Sequence, residues 1–116
     1  MAFTVKFKEL GMTKPLKVEE TNKNMKLTLQ LQKDIISENA VIADEESDML
    51  TTFSALEDLL DAKTNYLIEV LHLNETQIEK LADLERDQTE ELISELVDGF
   101  FGFEEPKEDD EEEGKE

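Results

Sequence analysis

Apolar residues fall on every second position in Phe3-Thr4-Val5-Lys6-Phe7-Lys8 and again in Leu16-Lys17-Val18-Glu19. The alternation is most regular in Met25-Lys26-Leu27-Thr28-Leu29-Gln30-Leu31-Gln32. A period of two is the mark of a strand with one packed and one wet face. Gly11 and Pro15 punctuate the first two runs, and Asn22 and Asn24 suit a turn before the third. Residues 1–32 therefore read as β-rich, and such strands form an antiparallel sheet wet on its Lys/Thr/Gln side. Beyond them Ile35, Ile36, Val41 and Ile42 are expected to be buried on a short helix or a loop.

The period then changes. Met49, Phe53, Leu56, Leu60, Leu67 and Leu71 step by fours and threes, with Lys63 or Thr64 at the missing step, and Leu59, Tyr66 and Val70 widen the stripe. This predicts a helix of about six turns with one apolar face, N-capped by Ser47 or Asp48. Asn74 ends it or caps the next helix. Thr76 and Glu79 have capping-box spacing ahead of Ile78, Leu81 and Leu84. A third helix reads from about Gln88 through Leu92, Ile93, Leu96, Val97 and Phe100, stopping near Gly99 or Gly102. Glu90 and Glu91 fall in its first turn, where the helix dipole favours negative charge.

Charge divides the chain in the same places. Residues 1–40 hold seven lysines and five acids, residues 41–103 three bases and seventeen acids, and residues 104–116 two lysines and nine acids. Residues 104–116 contain no apolar side chain but Pro106 and are expected to be a disordered acidic tail. The fold predicted is α+β: a small N-terminal antiparallel sheet of two to four strands packed on about three C-terminal helices. Residues 1–103 form a single domain in this reading, β-rich over 1–32 and helical over 46–102, with the tail at 104–116.

The net charge of −19 has the wrong sign for direct nucleic-acid binding, which relies on Lys and Arg at phosphates, and for an anionic membrane surface. No apolar run approaches the ~18 residues of a membrane span, and the first residues lack the pattern of a signal peptide. With no cysteine, disulfides and thiolate chemistry are excluded. His72 is the lone histidine and reads as a boundary residue rather than a general base. Asp83, Glu85 and Asp87 alternate like the start of a calcium loop, but Gln88 and Ser94 stand where that loop wants Gly and Glu. Neither a cofactor, a metal nor a small-molecule substrate is expected, and no enzymatic activity.

What remains is interaction surface. Phe53, Leu56, Leu60, Leu67 and Leu71 could in part receive an amphipathic partner helix. Phe100, Phe101 and Phe103 cluster directly before the acidic tail; they close the core, or one or two stay exposed for a partner. A basic N-terminal zone beside an acidic helical half also allows copies to pair head to tail as a homo-oligomer, an association that salt would weaken.

A β-rich start leads into an acidic half where Leu59-Leu60-Asp61-Ala62 and Tyr66-Leu67-Ile68-Glu69-Val70-Leu71 precede Asn74-Glu75-Thr76-Gln77 and then Glu90-Glu91-Leu92. Over most of residues 1–103 this resembles the tail assembly chaperones of long-tailed, non-contractile (siphovirus-type) bacteriophages, and of prophages in Gram-positive bacteria. The resemblance implies a protein that binds the long helical tape measure protein and helps recruit tail tube protein subunits around it. It implies action in the bacterial cytoplasm and absence from the mature virion. It also implies a longer product made by ribosomal frameshift, for which Gly114-Lys115-Glu116 suits the end of the shorter one. The acidity supports one alternative, a DNA-mimic inhibitor of a host nuclease or DNA-binding regulator. The nine acids gathered in residues 104–116 fit poorly with the ordered rows of carboxylates such mimicry needs.

Overall fold

The computed structural model describes residues 2–102. Both of the shorter alternating runs are strands. β1 (Ala2–Val5) pairs antiparallel with β2 (Leu16–Glu19), with Phe3 opposite Val18 and Val5 opposite Leu16. These four apolar residues share one face; Val5 and Val18 are fully covered and Phe3 and Leu16 partly so. Thr4 and Lys17 pair on the other face, in solvent. Between the strands a single 3-10 turn, Lys8–Leu10, sinks Leu10 completely into the core. The turn ends on Gly11 at φ +82°, a left-handed position that costs a glycine nothing.

The third alternating run is not a strand. It lies inside α1 (Asn22–Ala43), a helix of 22 residues. Residues Asn22–Asp34 hold a single β-branched side chain, Thr28, among Lys, Leu, Gln and Met, so local propensity favours helix. Thr21 caps the start, its hydroxyl accepting from the Asn24 N–H at 3.1 Å. The inward residues are Asn24, Thr28 and Leu31, spaced by four and three. Thr28 is buried in spite of its hydroxyl because that hydroxyl donates to the Asn24 carbonyl at 2.8 Å and lies 2.8 Å from the Tyr66 hydroxyl. α1 also absorbs residues 33–43, where Ile35, Val41 and Ile42 are half-buried but Ile36 stands 72% exposed. The expected burial of Ile36 is thus overturned.

α2 (Met49–Leu71) follows as predicted. Its cap is Asp48, whose carboxylate accepts from the Thr51 N–H at 2.7 Å; the Thr51 hydroxyl and then this N–H hold the Asp48 carboxyl below its ordinary pKa. The helix closes on His72 in the left-handed conformation (φ 52°), and the next residue, Leu73, donates its N–H back to the Ile68 carbonyl. Asn74 caps α3 (Glu75–Ala82) through a reciprocal box with Gln77, not the Thr76–Glu79 pair. α4 (Arg86–Phe101) starts two residues before Gln88, so Asp87 rather than Glu90 or Glu91 occupies its first turn. It runs through Gly99 and stops at Gly102 (φ +68°). The described residues therefore hold four helices, not three, and a sheet of two strands. The fold remains α+β, with helix dominating. The acidic tail expected over 104–116, and Phe103 with it, lie outside the described residues.

The core joins the two ends of this sequence. Val5, Phe7, Leu10 and Val18 meet Leu67 and Leu71 of α2 and Leu92, Leu96 and Phe100 of α4. Phe3 packs edge-on against Phe100, ring centroids 5.0 Å apart at 87°.

Tyr66 offers a direct test of the α1–α2 contact. Thr28 spends its only proton on Asn24, so Tyr66 is the donor in their bond. Burial pushes the Tyr66 phenol above its ordinary value of 10.0. An unfolded chain releases this proton near pH 10 and the folded one later. Between the two values the folded state binds more protons, so stability is complete below about pH 10 and falls as pH rises further. Tyr66→Phe is expected to cost about 1 kcal/mol at neutral pH and to flatten that alkaline fall. Urea midpoints from about pH 8 to pH 11 check it; an identical fall in the variant would refute the assignment. As Tyr66 is the one tyrosine in the chain, phenolate absorbance follows its titration directly.

Candidate functional site

α1 and α2 form an antiparallel hairpin joined at residues 44–48. Only its base enters the core: from Ile36 to Asp61 no residue belongs to the core cluster. Every large apolar side chain that the described residues leave exposed sits on this hairpin. They are Leu29 and Ile36 on α1, and Met49, Leu50, Phe53, Leu56 and Leu60 on α2. Single exposed leucines need no explanation, but a contiguous set on one element marks an interaction surface.

Helical geometry explains the set. At about 100° per residue, Phe53, Leu56, Leu60, Leu67 and Leu71 fall within about 60° of one another, on one face of α2. Leu67 and Leu71 are covered by the core, 0% and 3% exposed, while Phe53 and Leu60 are 58% and 52% exposed on the same face. The cover stops between them, where Lys63 of α2 pairs with Glu90 of α4. A second apolar face of α2, carrying Ala55, Leu59, Tyr66 and Val70, is buried, and Tyr66 on it bonds to α1. α1 repeats the arrangement. Met25, Leu29 and Ile36 share a face within about 40°; Met25 packs on the core, and Leu29 and Ile36 continue beyond it into solvent. Both open stripes are thus extensions of core-facing stripes, so they prolong one surface.

The predicted partner residues separate accordingly. Phe53, Leu56 and Leu60 are brought together and exposed. Leu67, Leu71 and Phe100 are core residues, and Phe101 is half-buried against that core. Leu29 and Ile36 are not recognisable as contacts from sequence, the first because its alternating run reads as a strand and the second because an isoleucine is expected inside. Met49 was on the predicted stripe without being named as a contact.

The surroundings of the open face are acidic. From Leu29 to Asp61 there are nine acids and one base, Lys33. Glu57, Asp58 and Asp61 on α2 and Asp44, Glu45, Glu46 and Asp48 at the tip are all exposed. The remaining candidates offer little chemistry. His72 lines an open cleft of about 410 Å³ with Thr13, Lys14 and Gln77, and no carboxylate contributes to it. Asp83, Glu85 and Asp87 are exposed around the α3–α4 junction. Among the described residues no three His, Asp or Glu side chains converge as metal ligands, and no helix is long and apolar enough to cross a membrane.

The family described as phage tail assembly chaperone proteins matches residues 3–115. No curated protein matches the chain, and no solved structure does.

Proposed function

The chain belongs to the phage tail assembly chaperone family, and from that premise we propose that it holds the tape measure protein and helps bring tail tube subunits to it during tail morphogenesis. The family role is a chaperone's, to interact with tail proteins, and it needs no catalytic group. One observation carries the finer reading: an apolar stripe that belongs by its angular position to the core is left open over the outer half of the α1–α2 hairpin. A long helical protein awaiting assembly exposes apolar surface of its own, and covering it removes that surface from water at roughly 25 cal/mol per Å². The acids around the stripe keep the loaded complex charged and dispersed. In this proposal the phage or prophage is of the siphovirus type. The protein works in the host cytoplasm and leaves before the virion is complete. The DNA-mimic alternative gains no support from the family match.

Co-expression tests the proposal. The tape measure protein encoded with this chain is expected to move from the insoluble to the soluble fraction and to co-purify with it. Unchanged insolubility, with no co-purification, would remove the tape measure protein as the partner.

A further inference from the structure

Three occupants could cover the open face: a second copy, the chain's own segment beyond Gly102, or a different protein. Charge decides among them. Two copies meeting face to face would bring together two hairpin ends that each carry nine acids against one lysine. The basic zone of a second copy, around Lys6, Lys8, Lys14 and Lys17, carries none of the exposed large apolar side chains, so it has nothing to place on the stripe. Residues 103–116 bring nine further acids and only Phe103 and Pro106 as apolar residues, too few to fill a stripe of three turns. Each of these pairs like charge with like, or leaves the apolar side chains wet. The remaining occupant supplies apolar groups and positive charge together.

We propose that the outer α1–α2 face is a receptor for one amphipathic helix of another protein, with apolar residues at three- and four-residue spacing and Lys or Arg along the edge that lies beside α2. It rests on the reading of this hairpin as the chaperone's holding surface. Two antiparallel helices with stripes on the same side form a groove that a third helix fills by side-chain interdigitation. From Met49 to Leu60 the stripe is about 17 Å long at 1.5 Å per residue, which sets the docked helix at three to four turns. Phe53 lies within it and Leu60 at its inner end, and both supply the apolar contact, while Glu57 and Asp61 flank them on one side and select a basic edge there. An acidic or neutral amphipathic helix meets the same apolar groups without that selection, so the site distinguishes among helices by their edge charge.

The test uses synthetic helical peptides of about four turns with one leucine pattern and three designs: lysine edges, glutamate edges, and the lysine peptide scrambled. Fluorescence anisotropy against the full chain reads binding at low and high salt. The lysine-edged peptide is expected to bind, and salt to weaken it. The scrambled and glutamate-edged peptides should bind at least about tenfold more weakly, and Phe53→Ser with Leu60→Ser should cost the lysine peptide at least about tenfold. Both replaced side chains are exposed, so the thermal midpoint should stay put and report that the variant is folded. Equal binding of the scrambled peptide overturns the proposal, as does binding indifferent to the double substitution. Sedimentation showing a dimer that the double substitution dissolves assigns the face to a second copy and also overturns it. If the double variant still solubilises the tape measure protein, this inference fails while the proposed function stands. If the lysine peptide binds as expected but the tape measure protein stays insoluble, the outcome is the reverse.

Discussion

Leu67→Ala is expected to lower the free energy of unfolding by about 3 kcal/mol, and Leu60→Ala by less than about 0.5 kcal/mol, although both residues lie on the same face of the same helix. Leu67 is wholly buried among Leu71, Leu92 and Leu96, and truncation there leaves a cavity in a close-packed region. Leu60 is 52% exposed and truncation there leaves mostly water where an isopropyl group was. Helix propensity cannot account for the contrast, since the change from leucine to alanine is the same in both and slightly favours the helix. Urea denaturation at constant slope measures the pair. A large loss at Leu60 would mean that something covers the outer hairpin in the isolated protein. Equal small losses would mean that the core beneath Leu67 is looser than the structure has it.

The same contrast fixes how much could be read from the residues alone. The stripe from Phe53 to Leu71 announced α2, and Asp48 announced its start, because both signals are local. The strands at Phe3–Val5 and Leu16–Val18 were equally plain. Where along α2 the cover ends was not legible. That depends on where α4 and β2 pack, and those elements are remote in sequence. α1 departs from its sequence pattern for a different reason. Alternation over Met25, Leu27, Leu29 and Leu31 fits a strand, but on a helix at about 100° per residue it produces two faces: Met25 with Leu29, and Leu27 with Leu31. α1 uses both. Leu27 and Leu31 pack on the core, and Leu29 is left on the open face. A helix with two apolar faces is uncommon in a domain that has only one core to fill. The feature that imitates a strand in α1 is therefore the feature that leaves the hairpin able to take a partner. The phenylalanines before the tail resolve by geometry too. Phe100 is fixed by the Phe3 ring, a contact nearly a hundred residues away in sequence that no local pattern announces.

Gly99→Val is expected to destabilise the protein by about 2–3 kcal/mol through overpacking, the second large effect. Glycine within a helix ordinarily costs about 1 kcal/mol against alanine, so its place inside α4 needs a reason. A Cβ at Gly99 would fall on the ring of Phe3, well inside van der Waals contact. Phe3 cannot simply swing away, because it sits on β1 opposite Val18 and packs edge-on against Phe100. The glycine is the notch in α4 that lets β1 dock. Gly102 is a useful contrast. It is glycine because of its backbone, at φ +68° with nothing near its Cβ position, so Gly102→Ala should cost about 1 kcal/mol and leave Phe3 undisturbed. Phe3→Leu in the Gly99→Val background should restore part of the loss, with a coupling of about 1 kcal/mol or more in a double-mutant cycle. Additive losses would show that the two residues do not share the space assigned to them. Loosening this joint also bears on function. β1 and α4 belong to the core that covers Leu67 and Leu71, so if they separate, the sealed half of the α2 stripe opens and joins the half already exposed. Gly99→Val should therefore bind more of an apolar dye such as ANS at temperatures where the parent does not, and self-associate where Phe53→Ser with Leu60→Ser would not. The length of face that α4 and β1 seal is what separates a holding surface of about three turns from one long enough to aggregate.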